Sequence, residues 1–316
     1  MRMRSVPLGN TSVKVNAFCL GTMNFGSRTD KKTSFELLDK YFEAGGTFLD
    51  TANKYAEWVP GYVGGESESL LGEWMQERDN RDELFIATKV GLEYLGVDRG
   101  LKAYQIMKER EKSLNRLGVD TIDLYYAHCD DRNTPLTETM ETFNRLVTAG
   151  EVRYIGASNY LVWRLEEAQW ISRTHGWAEY CCIQQRCSYV RPNPGARFDY
   201  PQIAANEDLL DYCRSRGITL LAYSPLLNGA YTRPDRSFPK QYLSPDTDAR
   251  LAALKAVAEE VGATVNQVVY AWMVQSDPPV IPLIGASTIE QLEENLGAIE
   301  VTLSTEQMKH LNNTSA

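Results

Sequence analysis

Histidine is scarce in this chain: three in 316 residues, His128, His175 and His310. No two lie at metal-ligand spacing, which argues against a zinc site. No C-x-x-C pair joins the six cysteines, Cys19, Cys129, Cys181, Cys182, Cys187 and Cys213. They read as reduced thiols of a cytosolic protein rather than as a disulfide framework. No apolar run reaches the ~18 residues of a membrane-spanning helix. The opening MRMRSVPLGNTSVKV lacks the apolar centre of a secretory signal. Net positive charge is missing too: the formal charge is −9. That disfavours a general nucleic-acid binder, but one pocket can still oppose the global field and take a phosphorylated small ligand. Linkers and low-complexity stretches are absent, so residues 1–316 read as a single domain.

Hydrophobic residues make up 43% and charged residues 24%, enough for a soluble protein with a sizeable core. After a probable-hairpin pattern, VPLGNTSVKV, eight strand-like runs follow: AFCL, TFLD, LFIATK, IDLYYAH, VRYIGAS, CCIQQ, TLLAYS and VIPLIG. Several are almost wholly apolar, as strands buried on both faces must be. Amphipathic segments lie between them. TSFELLDKYFEAG places Phe35, Leu38 and Phe42 on one face and stops at Gly45-Gly46. ESLLGEWMQE, AYQIMKEREKSLNRLG, LTETMETFNRLVTAG, LVWRLEEAQWISRTHG and NEDLLDYCRSRG fill later gaps, four of them ending at glycine. Strands alternating with helices imply a parallel sheet with right-handed crossovers. Eight such units predict an α/β fold, a closed (β/α)8 TIM barrel with an N-terminal β-hairpin. The competing open sheet lacks a G-x-G-x-x-G after its first strand. Two loops are long for such units: AEWVPGYVGGESE after Tyr55, and residues 224–248 after the seventh strand. Both follow strands and so extend the C-terminal rim, where sites in this fold sit.

The polar residues at the strand ends are therefore informative. They are Asp50 with Tyr55, Lys89, His128, Ser158-Asn159, Gln184-Gln185 and Tyr223-Ser224. Taken singly, each has an ordinary reading. Asp50 and Tyr55 make a hydrogen-bonded loop, Lys89 snorkels, and His128 is a satisfied core imidazole. Four such groups at three successive strand ends are harder to assign to chance. An unperturbed phenol, pKa ~10, is a poor acid at neutral pH. A nearby ammonium lowers that value, an aspartate keeps the ammonium charged, and an imidazole fixes geometry. The set suits proton donation to a developing alkoxide, hence carbonyl reduction, with hydride supplied by a cofactor.

The segments LGTMNFG, TFLDTANKY, GGESESLLGEWM, ATKVG, DLYYAHCDD, GEVRYIGASNY, LLAYSPL and PLIGASTIEQLEENL together resemble an aldo-keto reductase over nearly the whole chain. The resemblance implies Asp50, Tyr55, Lys89 and His128 as a catalytic tetrad, with Tyr55 the general acid. It also implies a nicotinamide cofactor across the barrel mouth. Gly21 and Thr22 would lie beneath the ribose beside Asp50. Ser158, Asn159 and Gln184 would hold the carboxamide, and Tyr223 would stack on the ring. Backbone N–H groups of Ser224, Leu226 and Gly229 would cover the pyrophosphate. Gly285, Ser287, Gln291, Glu294 and Asn295 would hold the adenosine end.

Three features depart from the pattern of the family that this chain resembles. Gly285 and Gln291 stand where many relatives carry Lys and Arg against a 2′-phosphate, and Glu290 adds negative charge. NADP(H) remains the family default, with NAD(H) or dual use open. Cys187 replaces a tyrosine after the sixth strand. The chain stops at Ala316, soon after the last helix, so specificity is expected from residues 56–65 and the rim. Met23, Phe25, Trp58, Tyr94, Cys129 and Tyr160 there suggest an apolar or aromatic carbonyl substrate, or else ordinary loop packing. A nucleophilic Cys129 is superfluous once His128 has its role. Two other functions fit parts of the pattern. One is a lyase forming a Schiff base on Lys89. The other is a non-enzymatic binding role like that of potassium-channel β-subunits, although this chain shows no N-terminal tether.

Overall fold

The computed structural model describes residues 3–315; the expectations placed on the outermost residues Met1, Arg2 and Ala316 lie outside them. The opening hairpin pairs β1 (Ser5–Pro7) with β2 (Lys14–Asn16), Val6 opposite Val15. Eight parallel strands then close a barrel: β3 (Cys19–Gly21), β4 (Phe48–Asp50), β5 (Phe85–Val90), β6 (Ile122–Ala127), β7 (Val152–Ser158), β8 (Tyr180–Arg186), β9 (Thr219–Tyr223) and β10 (Val280–Ile284), with β10 returning to β3. Each of the eight apolar runs supplies one strand. The fold is thus the expected (β/α)8 barrel with a separate N-terminal hairpin.

The helices form the outer layer. They are α1 (Lys31–Glu43), α2 (Glu66–Arg78), α3 (Ala103–Leu117), α4 (Leu136–Thr148), α5 (Val162–His175), α6 (Glu207–Arg216), α7 (Pro245–Val261), α8 (Val265–Gln275), α9 (Ile289–Gly297) and α10 (Thr305–Asn313). Local chemistry sets their ends. Asp30 and Asn206 accept from the third backbone N–H of α1 and α6. Gly118, Gly176 and Gly217 close α3, α5 and α6 in the left-handed conformation. The buried face of α1 includes Leu37 and Tyr41 beside Phe35 and Leu38, while Phe42 is half-buried. None of the described helices is long and apolar enough to cross a membrane.

Two loop expectations need revision. The loop after β9 ends at Ser244, whose hydroxyl caps α7 with Pro245 in the first turn; α7 and α8 fill the space before β10. A third long rim loop, residues 187–206, follows β8.

The hairpin seals the opposite end. Gly9 N–H donates to Thr219 Oγ1 at 2.7 Å, Thr219 Oγ1 donates to Pro7 O at 3.1 Å, and Asn10 Nδ2 donates to Arg216 O at 2.8 Å. Gly9 has φ +56, and a Cβ there would lie 2.1 Å from the carbonyl oxygen of Cys181. Backbone cannot yield as a flexible side chain can. Gly9→Ala is therefore expected to cost about 2–3 kcal/mol, read as a lower urea midpoint with an unchanged m-value.

Candidate active site

Strand register brings the first two site residues together. Asp50 opposes Ala87 across the β4–β5 ladder, and Lys89, two residues on, shares the face of Ala87. Both side chains are buried, Lys89 completely. Lys89 Nζ donates to Asp50 Oδ1 at 2.5 Å, to Thr51 O at 2.6 Å and to Tyr55 Oη at 2.9 Å. The second carboxylate oxygen of Asp50 accepts from Gln184 Nε2 at 2.9 Å. Burial by itself disfavours both charges. It pushes the Asp50 carboxyl up against the pull of Lys89. For Lys89 burial pulls down, but the charges and hydrogen bonds of Asp50 and Tyr55 outweigh it and hold the ammonium above its usual value. With three acceptors around three N–H bonds, the ammonium form is the one this site stabilises.

Tyr55 rides on a loop that continues the sheet pairing past the strands: Asn53 N–H donates to Lys89 O at 3.3 Å. Its ring meets Trp58 edge-on at 5.8 Å between centroids and His128 at 6.1 Å. The expected lowering of the phenol is not the net result. Burial raises the Tyr55 pKa, and Asp50 and Cys19 add to it, more than Lys89 draws it down. The phenol is thus firmly protonated. His128 is pushed well below the ordinary imidazole value by burial first, then by the Lys89 and Lys54 charges. It is neutral, and its buried Nδ1 has no protein partner.

The residues expected around a cofactor surround this cluster, but many bond to one another. Thr22, adjoining Gly21 at the end of β3, donates through N–H and Oγ1 to Asp50 O at 2.9 and 3.0 Å, so it braces the end of β4. Asn159, in the left-handed conformation at φ 58, donates to His128 O at 3.0 Å and to Ser158 Oγ at 3.1 Å. Its Oδ1 accepts from Tyr223 Oη at 2.8 Å and Ile203 N–H at 3.3 Å. Cys187 donates its N–H to Tyr223 O at 3.2 Å. Past Tyr223 the backbone turns left-handed at Ser224, Leu227, Asn228 and Gly229, a run of the kind that forms anion-binding concavities. Within this turn the Gly229 N–H donates to Leu226 O at 2.9 Å.

At the far end, Ser287 N–H donates to Gln291 Oε1 at 2.8 Å and Asn295 Nδ2 to Gly285 O at 3.0 Å. Gly285 is exposed, and a Cβ there would meet nothing within 4 Å. Glu294 accepts from Thr264 and Asn266, and Asn266 also donates to Thr232 in the loop after β9. Arg233, in that loop, packs against Gly229 and pairs with Asp235 at 2.6 Å. A left-handed turn and an open edge at Gly285 fit an extended phosphorylated ligand.

Four of the six expected substrate residues are interior. Phe25, Cys129 and Tyr160 are 1%, 0% and 1% exposed, and Tyr94 is 8% exposed. Tyr94 donates to Glu109 Oε2 at 2.5 Å, Cys129 Sγ lies 3.8 Å from Gly91 O, and Tyr160 packs edge-on against Tyr180. They pack loops rather than present themselves at the rim. Met23 is exposed and Trp58 half-exposed. The third rim loop adds a residue the strand-end reading passed over. Tyr200, largely exposed, lies under the Arg99 guanidinium at 4.1 Å and donates to Asp130 O at 3.2 Å. The stretch RPNPG at 191–195 was its sequence signal, a cluster of turn formers too long for a tight connection.

The aldo/keto reductase family matches residues 17–316. Norsolorinic acid reductase stcV of Emericella nidulans is 34% identical, over 96% of this chain and 79% of that protein. The uncharacterized oxidoreductase YrpG of Bacillus subtilis is 33% identical, over 96% of this chain and 94% of that one. The NADP(+) aryl-alcohol dehydrogenase of Phanerodontia chrysosporium is 28% identical, over 99% and 83%. Among solved structures, the thermostable aldo-keto reductase Tm1743, in complex with the inhibitor epalrestat, aligns with a TM-score of 0.79 at 30% identity, covering 98% of this chain and 99% of its own. With a full-length match and a closed barrel of the same form, this chain belongs to the aldo/keto reductase family and is an oxidoreductase acting on carbonyl groups.

Proposed function

We propose that the chain works as one barrel domain that reduces aldehydes or ketones to alcohols, reversibly, with Tyr55 as general acid. The observation that carries this is the Lys89 ammonium, held 2.5 Å from Asp50 and 2.9 Å from the Tyr55 hydroxyl. Reducing a carbonyl requires a hydride at carbon and a proton at oxygen. A bound nicotinamide supplies the hydride. Tyr55 holds the proton, because its raised pKa keeps it a phenol at neutral pH. Lys89 stabilises the phenolate left behind. Neutral His128 orients the carbonyl oxygen without competing for the proton. Trp58 excludes water from one side of the phenol.

NADP(H) is the favoured cofactor. The support is the name of the aryl-alcohol relative; Gln291 and Glu290 leave NAD(H) or dual use as the other outcome. That same name and the exposed rim residues Met23, Trp58 and Tyr200 support an apolar or aromatic carbonyl substrate. Six unpaired cysteines fit a reducing, cytoplasmic setting. A Schiff-base lyase needs a neutral amine, and the three acceptors around Lys89 argue against one.

Tyr55→Phe is expected to lower kcat by about 10²–10⁴-fold and to leave cofactor affinity nearly intact, as read by tryptophan-fluorescence titration beside steady-state rates. Wild-type turnover in that variant would remove the assignment. Gln291→Arg is expected to raise affinity for NADPH relative to NADH in parallel titrations; an unchanged ratio would mean that a 2′-phosphate is read elsewhere. His128 gives a pH signature. Its folded pKa lies below the unfolded value of 6.5, so unfolded chains bind the extra proton first. Its contribution is complete above that value and declines as pH falls below it. Urea midpoints from pH 7.5 down to 5.5 should fall more steeply for wild type than for His128→Gln.

A further inference from the structure

Behind the active-site face of β5 lies a polar cluster that the reaction above does not use. Glu68 of α2 is completely buried, and Glu109 of α3 is 2% exposed. Arg116 Nη1 donates to Glu68 Oε2 at 3.1 Å and to Asn53 O at 3.1 Å. Glu109 Oε2 accepts from Asn53 Nδ2 at 2.8 Å and from Tyr94 Oη at 2.5 Å, and Lys112 donates to its other oxygen at 2.7 Å. Glu68 Oε1 accepts from Thr88 Oγ1 at 2.6 Å. Burying carboxylates this way is no route to stability, since apolar groups of similar volume often do as well or better. What distinguishes the cluster is where its contacts converge.

They converge on the two segments whose separation sets the Lys89–Tyr55 hydrogen bond. Asn53 lies two residues before Tyr55. Tyr55 O accepts from Gly65 N–H at 3.2 Å, which ties the far end of the loop to the same tyrosine. Gly64 and Gly65, at φ +98 and +97, let Tyr94 and Arg116 approach so closely that a Cβ would lie 2.7 and 2.3 Å from them. Thr88, next to Lys89, points out of the barrel to Glu68 as strand alternation requires. One connected set of groups thus grips the Tyr55 loop at both ends and the Lys89 strand from outside.

We propose that Glu109, Arg116, Glu68 and Tyr94 are positioning residues, holding the Tyr55 hydroxyl against the Lys89 ammonium from the outer helices. The inference rests on the reading of Tyr55 as proton donor. Lys112, Tyr94 and Asn53 outweigh burial and keep the Glu109 carboxyl below its ordinary value, so it is an acceptor at working pH.

The test is a pH series of steady-state kinetics on the full chain with NADPH and the fastest member of a panel of aryl aldehydes. It compares wild type, Glu109→Ala, Glu109→Gln and Tyr55→Phe. Glu109→Ala should lower kcat by about ten- to a hundredfold with KM changed by less than about twofold. It should also move the alkaline limb of kcat upward, because a phenol drawn away from the ammonium loses the charge that lowers its pKa. Glu109→Gln keeps an acceptor oxygen and should recover part of the rate and of the limb. An unchanged kcat and limb in Glu109→Ala, beside an inactive Tyr55→Phe, overturns the positioning role and leaves the proton donor standing. An active Tyr55→Phe removes both. If Glu109→Ala does not fold, Tyr94→Phe serves, because its ring still fills the space at Gly64: a smaller fall with the same limb shift supports the role, and no change overturns it.

Discussion

The Lys89–Asp50 pair is the constraint around which the barrel mouth is organised. Placing an ammonium and a carboxylate out of water costs several kcal/mol per ion unless every remaining donor and acceptor is met. Here they are met from β4, β5, β8 and the Tyr55 loop together. The pair therefore demands the register of β4 on β5 and the closure that carries Gln184 of β8 across to Asp50. A slip of one residue in either strand would turn a charge into the helix layer. The desolvation that makes the pair costly also makes it useful, because an unscreened ammonium acts more strongly on a phenol than one in water.

A second layer of polar contacts translates that constraint outward. Asn159 connects His128, Ser158, Tyr223 and Ile203, so the ends of β6, β7 and β9 and the 187–206 loop share one amide. Tyr200 in the same loop reaches Asp130 and Arg99. The rim is thus a linked set of loops, and a change in one loop is felt by residues lining another.

How far this was legible beforehand depends on the range of the interactions. All eight barrel strands were, because strands buried on both faces are apolar runs that no surface element needs. So was the grouping of Asp50, Tyr55, Lys89 and His128, since three of them sit where such runs end and Tyr55 lies five residues past Asp50. The burial of Phe25, Cys129 and Tyr160 was not legible. A residue two to four places past a strand looks like a rim residue in sequence, but the turn decides whether its side chain faces the mouth or the core. Arg116 with Asn53 and Arg116 with Glu68 join positions 63 and 48 residues apart. In sequence each is an ordinary charge on an amphipathic helix. The α7 helix was hidden because its alanine-rich body carries only a weak amphipathic stripe, although Ser244-Pro245 announces its start.

The hairpin beneath the barrel gives the site a direction. With Leu8 wholly buried and the turn at Gly9 bonded to Thr219, the end opposite the active site is sealed against water. Tyr55, past the C-terminal end of β4, keeps part of its surface exposed at the other end, the mouth. On the reading of Tyr55 as proton donor, a proton that it gives up is replaced from the mouth, past the same rim that would admit the substrate. Occupancy of that rim then couples hydration to proton exchange: Lys89 and Asp50 are buried already, so a ligand that fills the opening closes off the partly exposed Tyr55, and its departure restores access for reprotonation.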